Sequence, residues 1–422
     1  MPKTGSKILL RQTPGNKFTI PLLLYLLEKE NINRKIPVTV VTSRSLFKEA
    51  AKNAERIIAV YSFMTPHLPQ VWHEIKCLRS VIKQQLFLLA GGPHPTGAPE
   101  ETLAMGFDAV ITGAGENTFA NTICRVLDED DISFKIIYGN SRYTLDDGMP
   151  VSRHFPFIPP LEIMRGCFYR CTFCQTGQLQ KPVYRSESSI RQYLKILLHR
   201  KLLFRTGFIC PSGLEYGASK PGSPQLDRLE HLLDTAKSIG IRYLEYGIFP
   251  SEIHPRTINR KALILLRKYC SNRKLTLGAQ TGVSGLLRQM KRGHQTEDIE
   301  SAVRLSIEEG FRPILDFIIG FPEETEADRL QTLQWIRSMH TRHGVRIQMH
   351  YFNPLAGTRL YDAIPSIPGQ KSRDILDAFH KGGICTNWWR SGFDQSWKLI
   401  RTREKLRELK GLSQENQDSD DR

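Results

Sequence analysis

The feature that most constrains the fold is an alternation, repeated along most of the chain, of short β-branched runs with longer amphipathic stretches. Strands separated by helices build parallel sheets, because a parallel neighbour is reached only by a crossover. The rhythm comes in two series. In the first, strands are expected at residues 7–10, 37–41, 57–62, 86–90 and 109–111, with helical patterns between them. The first helix carries Pro21 near its start, where a missing N–H costs little. Residues 1–150 are therefore expected to form an α/β, doubly wound, flavodoxin-like unit. In such folds ligands bind at the carboxyl ends of the strands, where AGGPHPTG (90–97) and TGAGENTF (112–119) fall.

A proline-rich joint, FPFIPP at 155–160, resists both helix and central strand and marks a boundary. From Leu161 the alternation resumes on a longer period, with strands expected at 161–164, 207–210, 242–247, 275–279, 314–319 and 346–351. Six such units predict a partial (β/α)6 barrel over 155–365. Residues 366–422 read as a helical, basic extension, and the closing SQENQDSDDR is polar enough to stay disordered.

Composition excludes several classes. Hydrophobic residues make up 40% and charged residues 24%, so neither bulk disorder nor membrane insertion is favoured. The longest apolar runs, such as 20–27, fall far short of the roughly 18 residues that span a bilayer. The first residues lack a cleavable signal pattern, which predicts a cytoplasmic protein. A net charge of +16 leaves an anionic substrate or a nucleic acid open, but the basic residues are spread out and form no block interleaved with aromatics.

The cysteines carry the chemistry. Five of the eight are scattered, whereas Cys167, Cys171 and Cys174 stand within eight residues, directly after the first barrel strand, at the rim where such barrels hold their sites. A disulfide leaves one thiol odd, and packing as small hydrophobes does not account for three on a polar loop. A structural zinc site wants a fourth ligand, for which Cys210 or His154 is the candidate. The remaining reading is an iron–sulfur cluster. A cube held by three thiolates instead of the usual four leaves one iron open to another ligand.

The spacing of three residues and then two, with Phe173 before the last cysteine, resembles the signature of the radical SAM superfamily. The resemblance implies a 4Fe-4S cluster on Cys167, Cys171 and Cys174 whose open iron binds S-adenosylmethionine (SAM). It also implies reductive cleavage to a 5'-deoxyadenosyl radical and an electron donor such as ferredoxin or flavodoxin. FICPSGLEYG (208–217) sits where many members carry a Gly-Gly-Glu loop, which places Ser212 and Gly213 near the methionine amine. YGIFPSEIHP (246–255) offers Ser251 and Glu252. LGAQTGVSGLLRQMKRGHQTEDI resembles the fourth-strand segment of the methylthiotransferase-like branch, with Gln280 and Thr281 on the ribose side; its MKRGH alone reads as a solvated basic face. LDFIIGFPEETEAD resembles the fifth, where Gly320 gives backbone access to adenine.

In the first unit, YSFMT (61–65), AGG (90–92) and GAGENTF (113–119) resemble elements of cobalamin-binding domains, which implies corrinoid contacts from Ser62, Gly91, Gly92, Gly113 and Gly115. The Asp-x-His-x-x-Gly element of such domains is replaced by RQTPGNKF, which contains no histidine; His67 and His94 are the candidate substitutes for a lower axial ligand. The first expectation is a radical SAM enzyme with a cobalamin-binding-type domain, a methyltransferase on an unidentified substrate. A transfer-RNA methylthiotransferase is the enzyme alternative, although its second N-terminal cysteine triplet is missing here. A non-catalytic iron–sulfur or corrinoid sensor is the third reading.

Overall fold

The structure, a computed structural model, describes residues 5–82, 85–128, 135–140, 142–202 and 205–420. Six strands form the first sheet: β1 (Ser6–Arg11), β2 (Val38–Val41), β3 (Arg56–Ser62), β4 (Gln85–Gly91), β5 (Ala109–Thr112) and β6 (Ile136–Tyr138). They pair in parallel in the order β2-β1-β3-β4-β5-β6. The inner strands are apolar without alternation because both faces are covered: Ile8, Leu9, Leu10, Ile57, Ile58 and Ala59 are all fully buried. β6 escapes the sequence pattern because it is a three-residue edge strand with an exposed Tyr138. The chain leaves β1 toward β2 on one side and returns to β3 on the other. This reversal opens a crevice at the carboxyl ends of the strands.

The second unit contains β7 (Leu161–Glu162), a hairpin of β8 (Met164–Arg165) with β9 (Val183–Tyr184), β10 (Arg205–Ile209), β11 (Tyr243–Glu245), β12 (Lys274–Gln280), β13 (Arg312–Ile319) and β14 (Arg346–Tyr351). Parallel pairing gives β7-β10-β11 and β12-β13-β14. The halves are joined beyond the end of β11, where Ile253 bridges Leu277 and Thr276 N donates to Gly247 O at 2.8 Å. β11 is shorter than expected because side chains intercept its backbone. Asn272 Oδ1 accepts from Tyr246 N, and Ser251 Oγ accepts from Gly247 N. Among the described residues no pairing closes β14 onto β7, so the barrel is open. The predicted strand at 161–164 is divided instead between β7 and β8, and the β8–β9 hairpin brackets the cysteine loop.

The helix Trp388–Asp420 covers the free edge of the barrel and then crosses to the first sheet, where Leu399 and Leu406 join the core built on Leu9, Ile57 and Ala59. It runs into the segment expected to be disordered. Leu, Glu, Gln and Lys are good helix formers, and a docked helix extends into polar sequence without a new nucleation cost.

Candidate active site

The cysteine loop leaves β8 through Gly166, whose φ is +82° and where an added Cβ would fall 2.4 Å from Lys181 O, which leaves no space for a side chain. The loop is pinned at three points: Cys167 N donates to Gln180 O, Thr172 N to Met290 O and Cys174 N to Cys171 O. Cys174 then starts the short helix Gln175–Leu179. Burial pushes the Cys167 thiol up to about 12 and raises that of Cys171, while the nearby Arg292 guanidinium pulls both the other way. Arg292 Nη1 is 3.7 Å from Cys171 Sγ, and Nη2 donates to Gly278 O at 3.0 Å. The residue is partly exposed, but its guanidinium is buried and its Nε has no partner. Read from sequence, MKRGH is a solvated face; the structure turns its arginine inward, onto the thiols.

Among the described residues no three His, Cys, Asp or Glu side chains are gathered closely enough for a single metal ion. Neither candidate fourth zinc ligand joins the thiols. Cys210 is buried with its Sγ on Met164 Sδ and Ser212 O, and His154 is exposed on the joint. Three soft donors on one loop, backed by an enclosed cation, fit a larger anionic group than one ion.

Around Arg292 lies a set of buried polar groups without partners, comprising Gln280 Oε1, Asp316 Oδ1 and His254 Nδ1. Such groups are costly unless something satisfies them, so their concentration marks a ligand site. Gln280 sits at a bulge of β12 with φ +73°, a left-handed conformation rare for a residue with a side chain. Burial and the neighbouring Glu252 push Asp316 up to about 8, against the pull of Arg292. Burial also raises Glu252. Tyr169 stacks on His254 at 3.9 Å, and His254 meets His294 edge-on at 4.9 Å; burial keeps both imidazoles neutral at ordinary pH.

The other predicted residues are placed as follows. Ser212 Oγ donates to Glu215, which also accepts from Tyr169 OH and Gly222 N. Gly213 N donates to Glu252 O at 2.7 Å, holding the ends of two strands together. Ser251 Oγ serves its own turn, and Thr281 Oγ1 meets Thr332 Oγ1 at 3.1 Å on the helix behind it, so neither hydroxyl is free. Gly320 N donates to Glu324 Oε2 at 2.6 Å, and a side chain there would strike the Tyr351 ring. Phe173 packs edge-on against Phe321 at 5.4 Å, next to Gly320. Arg292 and Asp316 are thus added to the sequence-derived set. Asp316 had a signal, a lone charge inside the apolar run PILDFIIGF.

Between the first sheet and the barrel lies a cavity of about 520 Å³. Ser62, Gly91, Gly92, Gly113 and Gly115 all line it, and Gln175 and Thr176 of the cysteine helix form part of the opposite wall. A Cβ added at Gly113 would meet open space, and at Gly91 or Gly115 only Ile111 at 3.8–3.9 Å, so these glycines frame a cradle. The lining charges, Glu116, Glu162, Arg165 and Arg185, balance one another. Arg165 pairs with Glu116 at 2.7 Å and with Glu162 at 2.5 Å, linking the two units across the cavity edge. Among the described residues no histidine lines the cavity. His94 is fully buried, stacked on Phe63 and pushed down to about 3, and His67 packs against Gly15 outside the cavity. Neither is therefore placed to supply an axial ligand.

Gln175 ties the two walls together. Its amide donates to Ala356 O at 2.8 Å and to Pro93 O at 3.2 Å, while the fully buried Thr65 Oγ1 accepts from Ala356 N at 3.0 Å. The residue after the third cysteine thus holds the turn that follows the Gly91–Gly92 pair.

A glycine-framed crevice on a parallel sheet, facing three soft ligands at the rim of an open barrel, defines a cluster-bearing α/β protein with a second large ligand. Comparison with known proteins names the class. Residues 161–336 match the family model of the radical SAM superfamily, and residues 24–123 match that of the B12 binding domain. The chain therefore carries a B12-binding domain followed by a radical SAM domain. Its cofactors are accordingly a 4Fe-4S cluster, SAM and cobalamin, and the thiol triad, the unsatisfied barrel groups and the glycine cradle fit them.

Among curated proteins, the tRNA-2-methylthio-N(6)-dimethylallyladenosine synthase of Carboxydothermus hydrogenoformans is 28% identical over 243 residues, covering 55% of this chain and 51% of that one. An uncharacterised methyltransferase of Pyrococcus horikoshii is 23% identical over 319 residues, covering 67% and 63%. The chain spans about half the length of the methylthio-synthase relatives it matches. Among solved structures, the radical SAM methyltransferase TsrM from Kitasatospora setae, with cobalamin and a [4Fe-4S] cluster bound, superposes with a TM-score of 0.60 at 14% identity, covering 85% of this chain and 77% of that one. The cobalamin-dependent SAM radical enzyme OxsB gives 0.57 at 13%, covering 90% and 58%. These likenesses establish the fold, with a B12-binding domain, a radical SAM domain and a helical end. No described helix is long and apolar enough to cross a membrane.

Proposed function

We propose that this protein is a cobalamin-dependent radical SAM methyltransferase acting on a substrate held between its two units. The observation that carries the reading is the shared cavity, because the glycine cradle and the helix of the third cysteine face each other across it. When bound, the cluster and SAM supply a 5'-deoxyadenosyl radical and the corrinoid supplies a transferable methyl group. In this reading Cys167, Cys171 and Cys174 hold the cluster, and Arg292 offsets its negative charge. Gln280, Glu252 and Asp316 hydrogen-bond SAM, and Phe173 and Gly320 flank its adenine. Ser212, Gly213, Ser251 and Thr281 set the loops that carry these contacts, and Ser62 with Gly91, Gly92, Gly113 and Gly115 seats the corrinoid. We take 1–150, 155–365 and 366–422 as the working units of the chain.

The methylthiotransferase alternative draws on the barrel relatives. Its second cysteine triplet has no counterpart, since only Cys77 and Cys124 precede the barrel, on helices that cover opposite faces of the sheet. The test is anaerobic reconstitution. The parent chain should show 4Fe-4S absorption and form 5'-deoxyadenosine with dithionite, and Cys171→Ala should do neither. Equal product from that variant, or bound zinc with no labile sulfide in the parent, would overturn the proposal.

A further inference from the structure

The cysteine loop reaches the surface beside a group of cations that the chemistry above does not use. Arg170, between the first two cysteines, is exposed. The turn that pins the loop through Met290 O carries exposed Arg288 and Lys291, and exposed Arg256 donates to Gly293 O on the same turn at 2.9 Å. Arg256 and Arg288 bond only neutral oxygens, those of Gly293 and Gln295, and among the described residues no carboxylate pairs with any of the four.

Position gives the patch its meaning. Cys167 and Cys174 are only half-buried, and the Tyr169 ring that follows Cys167 lies against Gly293 on one edge and stacks on His254 on its face. The four cations thus stand on the cysteine loop itself, on the turn that hydrogen-bonds it, or on a residue bonded to that turn, whereas Gln175 and Thr176, which line the cavity, follow the third cysteine. A radical SAM protein needs an electron donor, and electron transfer weakens steeply with distance, so the donor must dock where the thiols come nearest the surface.

We propose that Arg170, Arg256, Arg288 and Lys291 form the docking surface for an acidic, low-potential electron carrier of the flavodoxin type. The proposal rests on the cluster reading above. In the step it serves, the reduced flavin loses one electron and the cluster gains one, with no other bond made or broken. Unpaired cations on one partner and carboxylates on the other steer association and make it salt-sensitive. Nucleic acid is the less favoured occupant, because none of the exposed aromatic side chains falls on these segments to stack a base.

The experiment compares the parent with Arg170→Glu/Lys291→Glu, with Arg170→Gln/Lys291→Gln as a milder pair if the first does not fold. Binding of a purified acidic flavodoxin to the reconstituted proteins is measured by calorimetry, and 5'-deoxyadenosine formation is driven either by reduced flavodoxin or by dithionite. With dithionite, product should stay within about twofold of the parent; with flavodoxin, affinity and rate should fall about tenfold or more. The parent's affinity should also drop steeply between about 50 and 200 mM salt, while the reversed variant's stays flat. Unchanged flavodoxin affinity and rate would overturn the docking proposal, as would loss of transfer-RNA binding alone. Failure of the parent with dithionite would instead count against the radical SAM reading, and the binding measurement would still decide the patch.

Discussion

The guanidinium of Arg292 stands 3.7 Å from the sulfur of Cys171, inside the mouth of the barrel and with one nitrogen left unbonded. A buried cation is costly to desolvate, and among the described residues this one has no carboxylate partner within hydrogen-bond reach. The compensation must come from thiolates and from whatever they hold. Replacing Arg292 by methionine keeps the bulk and removes the charge, so reconstituted iron and sulfide per chain should fall to about half or less. Arg292→Lys should be intermediate, because an ammonium cannot reach Cys171 and Gly278 O with the same planar fork. Parent-level iron in the methionine variant would show that the contact is incidental.

How far these features were legible in the sequence follows from how local they are. The strands of the first sheet show as unbroken β-branched runs because helices cover both faces, and the cysteine loop shows because its donors lie within eight residues. Arg292 and Gln175 were not legible. Their partners Cys171 and Ala356 lie 121 and 181 residues away, and nothing in MKRGH or CQTGQ marks which side chain turns inward. Ser251 and Thr281 show the converse. Sequence position put them near the site, but nearby backbone and Thr332 take up their hydroxyls.

Asp316 gives a pH dependence whose sign follows from its surroundings. Burial and Glu252 raise it from 3.8 to about 8, while Arg292 opposes them. The folded chain therefore holds a proton that the unfolded chain has already released. The associated stability is complete below about pH 4 and is lost as pH rises through about 8. Asp316→Asn cannot ionise and should escape that loss, by an amount on the order of a few kcal/mol at alkaline pH. Melting of the cofactor-free protein should thus favour the asparagine variant increasingly between about pH 5.5 and 8.5. A difference that stays flat with pH would mean that Asp316 ionises freely in the fold.

The cradle on the first sheet can be tested apart from catalysis. A Cβ added at Gly91 or Gly115 would meet no protein atom closer than 3.8 Å and neither glycine has a positive φ, so leucine at either cavity-lining position should be tolerated by the backbone and take up cavity space. Gly91→Leu and Gly115→Leu should fold, keep parental iron and sulfide, and lose hydroxocobalamin on gel filtration, because each occupies part of a space of about 520 Å³ that the corrinoid needs. The parent should retain it. Since among the described residues no histidine lines the cavity, labelling the protein's histidines with nitrogen-15 should leave the electron paramagnetic resonance spectrum of the bound cobalt(II) form unchanged. A change in its nitrogen splitting would place an imidazole on the cobalt and require His67 or His94 to leave its packed position against Gly15 or Phe63.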